Sequence, residues 1–129
     1  MATLDVTLTL ASTDLTSDAL SMTVTDSLTT GQYATSISRT TVTNVGANNI
    51  IQPRTDGQTY YLYVKHTGTS DGTTAVTTTL NVELTGDVVV GKLAAGEFCF
   101  IPLGGHSLGA QLQASSGTII AEYAHFVKG

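Results

Sequence analysis

The stretch TLDVTLTL, residues 3–10, decides the fold class of this chain. Its apolar side chains alternate one for one with polar ones. Successive side chains on a strand point to opposite faces, so this pattern predicts a β-strand with one apolar face and one wet face. A second run of the same kind lies at 76–84, where Val82 is expected to face the core and Glu83 to face water.

Shorter runs of strand character recur along the chain between Gly, Asn, Asp and Ser residues. We predict eight to ten strands, the others lying at 20–28, 33–45, 50–51, 59–66, 88–93, 97–103, 110–115 and 118–127. A turn is expected at 29–32, and a bulge or break inside 33–45. Helical periodicity is confined to single turns.

These segments predict one domain, 1–129, with an all-β fold: a two-sheet antiparallel sandwich, jelly-roll-like, of about eight to ten strands. An immunoglobulin-like sandwich is the alternative. It would be an atypical one, because the chain has no Trp and a single cysteine.

Composition narrows the classes of partner. The formal net charge is −5, and the five Lys and Arg residues are scattered along the chain. Nucleic-acid binding draws its affinity from basic side chains on phosphates, so we predict no nucleic-acid partner. Charged residues make up only 12% of the chain, and threonine supplies much of the polar surface. Low surface charge fits assembly, because it reduces repulsion between subunits.

Cysteine and hydropathy patterns exclude two further features. Cys99 is the only cysteine, so no internal disulfide is expected. It lies between Phe98 and Phe100, where we expect it to act as a small hydrophobic residue. Residues 1–20 have no pattern of a secretory signal. No apolar run approaches the roughly 20 residues that span a bilayer, so no membrane partner is expected.

One segment matches a catalytic motif. Residues 105–109, GHSLG, fit the G-x-S-x-G nucleophile elbow, with Ser107 at the serine position. That motif requires a strand-to-helix turn, followed in the chain by an acid and a histidine. No helix is indicated after Gly109, no Asp follows it, and both Glu122 and His125 lie on the last predicted strand. We interpret the segment as a glycine-rich turn.

The remaining titratable residues predict no metal site and no catalytic pair. The three histidines are His66, His106 and His125. They are far apart in the sequence, so no strand supplies two metal ligands, and each is expected at the surface or rim. Asp56-Gly57, Asp71-Gly72 and Gly86-Asp87 each offer one carboxylate and are typical of turns. Nothing selects a pair among Glu83, Glu97 and Glu122. We predict no enzyme activity, no catalytic residues, no metal and no cofactor.

Aromatic residues indicate a candidate interface. Alternation places Tyr61 and Tyr63 on one face of their strand. Three interpretations of that face are open: a sugar-stacking platform, a subunit interface or ordinary strand surface. The last strand is apolar on both parities, so one face is expected in the core and the other under loops or another subunit. The candidate interface residues are Tyr61, Tyr63, Ile120 and Phe126.

The second half of the chain resembles small virion proteins of tailed phages. YYLYVKHTGT at 60–69 is similar to their yiYvkNt strand and loop, although His66 stands where Asn is commoner. LAAGEFCFIPL at 93–103 resembles their L-x-x-G-E-F-x-x-I-P-L hairpin, and 118–127 is similar to their closing strand. The resemblance covers residues 59–127.

This resemblance implies a role in a virion. It favours a capsid decoration (cement) protein that binds the shell as an oligomer and stabilises it. The trimer is favoured because many such proteins occupy threefold positions. Expected partners are further copies and other virion proteins such as the major capsid protein, and the expected location is the virion, assembled in the host cytoplasm. A tail, collar or fibre component is the alternative, and a carbohydrate-binding β-sandwich module is the alternative from another class.

Overall fold

The computed structural model describes residues 2–34, 36–53, 57–103 and 108–128, and that part of the chain contains ten strands and no helix. The strands are β1 Ala2–Ser12, β2 Leu20–Ala34, β3 Ser38–Thr43, β4 Asn48–Ile51, β5 Tyr60–His66, β6 Leu80–Leu84, β7 Val88–Leu93, β8 Phe98–Leu103, β9 Ala110–Ala114 and β10 Thr118–Lys128.

The strands form two antiparallel sheets. One has six strands in the order β1-β2-β10-β5-β8, and β3 also pairs with β10. The other has four strands in the order β4-β9-β6-β7. The prediction of an all-β, two-sheet antiparallel sandwich with eight to ten strands is confirmed, while its jelly-roll connectivity stays a prediction.

The core lies between the two sheets and draws equally on both. The six-stranded sheet contributes Val42, Tyr60, Leu62, Val64, Ile119, Ala121 and Val127. The four-stranded sheet contributes Ile51, Leu80, Val82, Leu93, Ala110, Leu112 and Ala114. Along β5 and β10 these residues occupy every second position, as strand geometry requires. The intervening side chains of both strands therefore lie on the outer face of the six-stranded sheet.

Strand boundaries differ most from the prediction at β2, β3 and β6. β2 continues through the turn expected at 29–32, because Thr30 and Ala34 pair with β10. β6 begins at Leu80 rather than at residue 76, because the N–H of Val76 donates to the carbonyl of Gly68 and closes a loop instead. The break expected within 33–45 falls between the end of β2 and the start of β3.

Candidate functional site

The outer face of the six-stranded sheet is aromatic and apolar at its centre. Tyr61 of β5 lies opposite Pro102 of β8 and Phe126 of β10. One step along β5, Tyr63 lies opposite Phe100 and Ala124. We call this surface the outer face; its members are Tyr61, Tyr63, Lys65, Phe98, Phe100, Pro102, Ile120, Glu122, Ala124, Phe126 and Lys128.

All four predicted interface residues lie on this face. Tyr61 and Phe126 are directly opposed, and Tyr63 is two residues from Tyr61 on the same strand. Ile120 lies six residues before Phe126, which separates the two by roughly 20 Å along the strand. Tyr61 is only 5% exposed, and the other three are half-buried. The structure thus groups three of them closely and places Ile120 at the far end.

Ring contacts and one ion pair fix the polar groups of the outer face. The Tyr61 ring stacks on Phe100 with centroids 5.9 Å apart, and Lys128 Nζ lies 5.4 Å from the Tyr61 centroid. The Tyr63 hydroxyl donates to Glu122 at 3.0 Å, and Arg39 Nε donates to the same carboxylate at 3.3 Å. Burial, followed by the hydrogen bond to Glu122, raises the pKa of Tyr63 to about 12.

Strands β1 and β2 form a long hairpin, here called the arm, which has two chemically different faces. Eleven residue pairs join the strands, from Ala2 opposite Thr30 to Ser12 opposite Leu20. On the polar face, Thr7 and Thr9 hydrogen-bond to Thr25 and Thr23 through their hydroxyl groups, and Ser27 Oγ donates to Asp5. Such cross-strand pairs contribute roughly 0.2–1 kcal/mol each to sheet stability.

The apolar face that the alternation predicts for residues 3–10 is present on the arm, but it is not part of the core. Leu4 and Val6, nearest the body of the protein, are half-buried. Farther along the arm, Leu8, Leu10, Met22 and Val24 are between 40% and 52% exposed. The reason is topological: among the described residues β1 pairs with β2 alone, so no second sheet covers this part of the hairpin.

A cleft separates the arm from the outer face. A cavity of about 270 Å³ lies between Leu4 and Val6 of the arm and Tyr63, Phe100 and Phe126 of the sheet. A second cavity, about 470 Å³, continues along the arm between Leu8 and Phe98. Phe98 is 60% exposed. The arm and the outer face therefore form one continuous apolar surface, bent around an open cleft.

Charge is divided unevenly between these two surfaces. Residues 1–38 contain four Asp residues (Asp5, Asp14, Asp18 and Asp26) and no Lys or Arg. Lys65 and Lys128 lie on the outer face, and Arg39 lies beside it through its ion pair with Glu122. Within the described part of the chain, neither lysine forms a salt bridge. The arm is therefore acidic, and the outer face carries an excess of positive charge.

His66 is buried, which corrects the expectation that each histidine lies at the surface or rim. Its side chain is 0% exposed at the end of β5. Nδ1 accepts from the N–H of Gly68 at 2.9 Å, so Nε2 carries the proton and donates to the Thr78 carbonyl at 2.8 Å. The main chain of His66 also bonds Gly96 and Glu97 of the β7–β8 turn. His66 therefore links the β5–β6 loop to the β7–β8 turn.

His125 does not join His66. His125 is half-buried and meets the Tyr60 ring edge-on, with centroids 6.0 Å apart. His106 and Ser107 lie outside the described residues, so the structure does not address the G-x-S-x-G match at its serine. Gly109, the last residue of that match, packs against the Ile51 carbonyl so closely that no side chain would fit.

The carboxylates serve separate local structures. Asp71 accepts from the N–H groups of Thr74 and Thr73 at 2.6 and 2.9 Å, and these bonds hold its pKa well below the ordinary value. Glu97 accepts from the N–H of Ala94 at 2.7 Å across the turn that Gly96 makes with φ +85°. The Asp71 arrangement is the turn chemistry predicted for Asp71-Gly72, and Glu97 closes a second turn.

Glu83 corrects a second expectation, because it is buried. It lies on the outer side of the four-stranded sheet, where Gln111 Nε2 donates to Glu83 at 2.8 Å and to Asp87 at 2.9 Å. A bulge in β7 accompanies it: Val82 pairs with Gly91, whereas Glu83 pairs with Val89. The three glutamates weighed as catalytic pairs have separate partners: Glu83 binds Gln111, Glu97 binds Ala94 and Glu122 binds Tyr63 and Arg39.

In the described part of the chain, metal-ligand residues, the thiol and membrane-spanning helices provide no further candidate site. Across 2–34, 36–53, 57–103 and 108–128, no three His, Cys, Asp or Glu residues cluster as a metal site would require. Cys99 packs against the core, and burial raises the pKa of its thiol. The same ranges contain no helix long and apolar enough to cross a membrane.

Sequence reasoning missed the arm and the β8 side of the outer face. The available signal was the length of the predicted strands, because 3–10 and 20–28 already exceed the roughly five or six residues of an ordinary strand; the observed β1 and β2 have 11 and 15 residues. Comparison with known proteins adds no identification: neither a family model nor a curated protein matches this chain.

Proposed function

We propose that this chain is a non-catalytic structural protein that works by binding other protein subunits. The observation that carries the proposal is the group of exposed apolar side chains on the two sides of the cleft: Leu8, Leu10, Met22 and Val24 on the arm and Phe98 on the outer face. Monomeric soluble proteins rarely expose a large contiguous apolar patch, and such patches mark interaction sites. Aromatic residues at the centre of the outer face and charged residues at its margin match the usual division between the core and rim of an interface.

Within that class we propose a capsid decoration protein of a tailed phage. The support is the resemblance over residues 59–127, whose main segments form β5, β8 and β10, the three strands that build the outer face. Such a protein would brace a shell by contacting neighbouring capsid subunits. Several weak contacts of one oligomer add through effective concentration, so no single contact has to be strong.

A tail, collar or fibre component is the alternative within the virion class, since the same surface would serve assembly there. A carbohydrate-binding module has less support. Sugar stacking requires an open aromatic ring, and Tyr61 is stacked on Phe100 and almost fully buried. The Tyr63 hydroxyl is already bonded to Glu122.

The proposal is tested on particles of a phage whose genome encodes the chain. Quantitative mass spectrometry of gradient-purified virions should detect it at a fixed copy number relative to the major capsid protein. Particles lacking it should rebind the purified protein and lose DNA at a higher temperature after rebinding. Copy numbers that match tail proteins would favour the tail alternative. Absence from purified virions would overturn both versions.

A further inference from the structure

We propose that the distal half of the arm of one copy docks on the outer face of a second copy of this chain. The distal half is residues 8–24, and the docking surface is centred on Phe98, Phe100 and Tyr63; Lys65 lies directly opposite Phe98, and Lys128 lies at the other end of the outer face. The inference rests on the proposed function only in that the protein binds other copies of itself, and it does not depend on the virion setting.

The arm requires a partner along its distal half. An isolated two-stranded hairpin is marginally stable in water, and stability comes from packing its apolar face against further structure. The first half has such packing, because Leu4 and Val6 lie across the cleft from Tyr63 and Phe126. Farther along, Leu8 faces Phe98 only across the second, wider cavity, and both Leu8 and Leu10 remain more than 40% exposed.

Charge selects the outer face of another copy as the occupant. The distal half of the arm carries two carboxylates, Asp14 and Asp18, and no basic residue, so two arms placed side by side would repel each other. The outer face presents Lys65 and Lys128, whereas Glu122 is already paired with Arg39. Opposite potentials on two surfaces favour their encounter and disfavour other pairings. Contact between the arm and the outer face is thus the electrostatically favoured pairing of these surfaces.

The apolar chemistry agrees with this pairing. Phe98 is 60% exposed at the edge of the sheet, directly opposite Lys65 on β5. The arm offers the apolar side chains of Leu8, Leu10, Met22 and Val24, which can pack on aromatic rings. Docking would cover both sets of exposed side chains.

The contact joins two different surfaces, so it has consequences for symmetry. Two copies can exchange arms reciprocally, or successive copies can close into a ring. A ring of three would satisfy every arm and every outer face. The mass of the oligomer gives the number of copies, whereas the residue pairs that come into contact identify the docking surface.

Disulfide trapping tests which residues meet. In a Cys99→Ser background, one protein carries Met22→Cys on the arm and a second, isotope-labelled protein carries Phe98→Cys on β8. Mixed under mild oxidation, the two should form a disulfide that joins one labelled and one unlabelled chain. A third protein carrying both cysteines reports, at high dilution, whether an arm closes on its own sheet.

Matched variants test the energetic basis. Leu10→Thr with Val24→Thr keeps β-propensity but removes apolar surface, and it should reduce the oligomer to the 13.4 kDa monomer mass without changing the far-UV circular dichroism. The control, Thr9→Ser with Thr25→Ser, changes the other face of the same hairpin and should leave the oligomer intact. Lys65→Glu with Lys128→Glu should also dissociate it.

Four outcomes would overturn the inference. They are a monomer mass for the unaltered chain, disulfides only between two arms, a disulfide only within one chain, and an oligomer that survives both the Leu10/Val24 and the Lys65/Lys128 changes. All of these measurements use the isolated protein. A failure here therefore leaves the virion proposal to be decided on particles, and the reverse also holds.

Discussion

Replacing His66 with leucine should strongly destabilise the fold, although leucine is close to histidine in size and more apolar. His66 is fully buried, and each ring nitrogen has a main-chain partner: Gly68 on one side and Thr78 on the other. Leucine fills the space but leaves the Gly68 N–H and the Thr78 carbonyl without those bonds. The two groups lie in the loop that connects β5 to β6.

The magnitude follows from these two lost bonds. Leaving one buried polar group unsatisfied costs about 1–3 kcal/mol, so the pair costs about 2–6 kcal/mol of unfolding free energy. For a domain of this size 1 kcal/mol corresponds to about 4 °C in Tm, which gives a fall of roughly 8–24 °C. His66→Asn should lie between leucine and the parent, because the asparagine Oδ1 can still accept from Gly68.

Thermal unfolding followed by far-UV circular dichroism measures the series. Thr77→Val is the control, since Thr77 lies in the same loop and is exposed. Heteronuclear NMR of the parent should show the tautomer with the proton on Nε2. A His66→Leu protein that melts within about 2 °C of the parent, well under 1 kcal/mol, would refute the account of His66 as a hydrogen-bonded link between loops.

Three further predictions use the same structure. Folding lowers the pKa of Asp71 from 3.8. The stabilisation contributed by its carboxylate is therefore present above that pH and lost as the pH falls. The difference in unfolding free energy between the parent and Asp71→Asn should narrow accordingly in acid denaturation. Because the pKa of Tyr63 is raised from 10.0 to about 12, stability falls as pH rises between these values, and ultraviolet titration should show a late tyrosine that Tyr63→Phe removes. Val82→Asp should unfold the protein, since a buried unpaired carboxylate costs several kcal/mol, whereas Thr77→Asp, on an exposed residue, should leave the melting temperature unchanged.

The local elements were predictable because local rules determine them. β7 has the predicted bounds, Val88–Leu93, and β8 and β10 differ from prediction by one residue at one end. Turns flank these strands at Gly96 and Gly117, both with positive φ, a conformation that glycine adopts without the cost a side chain imposes. Alternation and turn chemistry together require no knowledge of distant contacts.

The environment of each face was less predictable. Alternation places Leu8 and Leu10 on one side of β1 but contains no information about what covers that side. Glu83 and His66 show the converse: both are buried because of hydrogen-bond partners elsewhere in the chain, Gln111 and Thr78. The four interface candidates lie on one face for a local reason, the parity of β5 and β10, and their role as an interface stays a prediction.

Association and order of the arm should be linked in this protein. Docking on another copy costs conformational entropy if the arm has to be ordered first, and that cost is subtracted from the affinity. Two features lower it: the threonine pairs across the polar face hold the strands in register, and the contact of Leu4 and Val6 across the cleft holds the base of the arm near the sheet. The distal half then meets its partner as a preformed hairpin. Removing the hydroxyl pairs of the polar face, which the Thr→Ser control keeps, should therefore reduce affinity without removing any residue from the interface, whereas replacing Leu10 and Val24 should remove the interface itself.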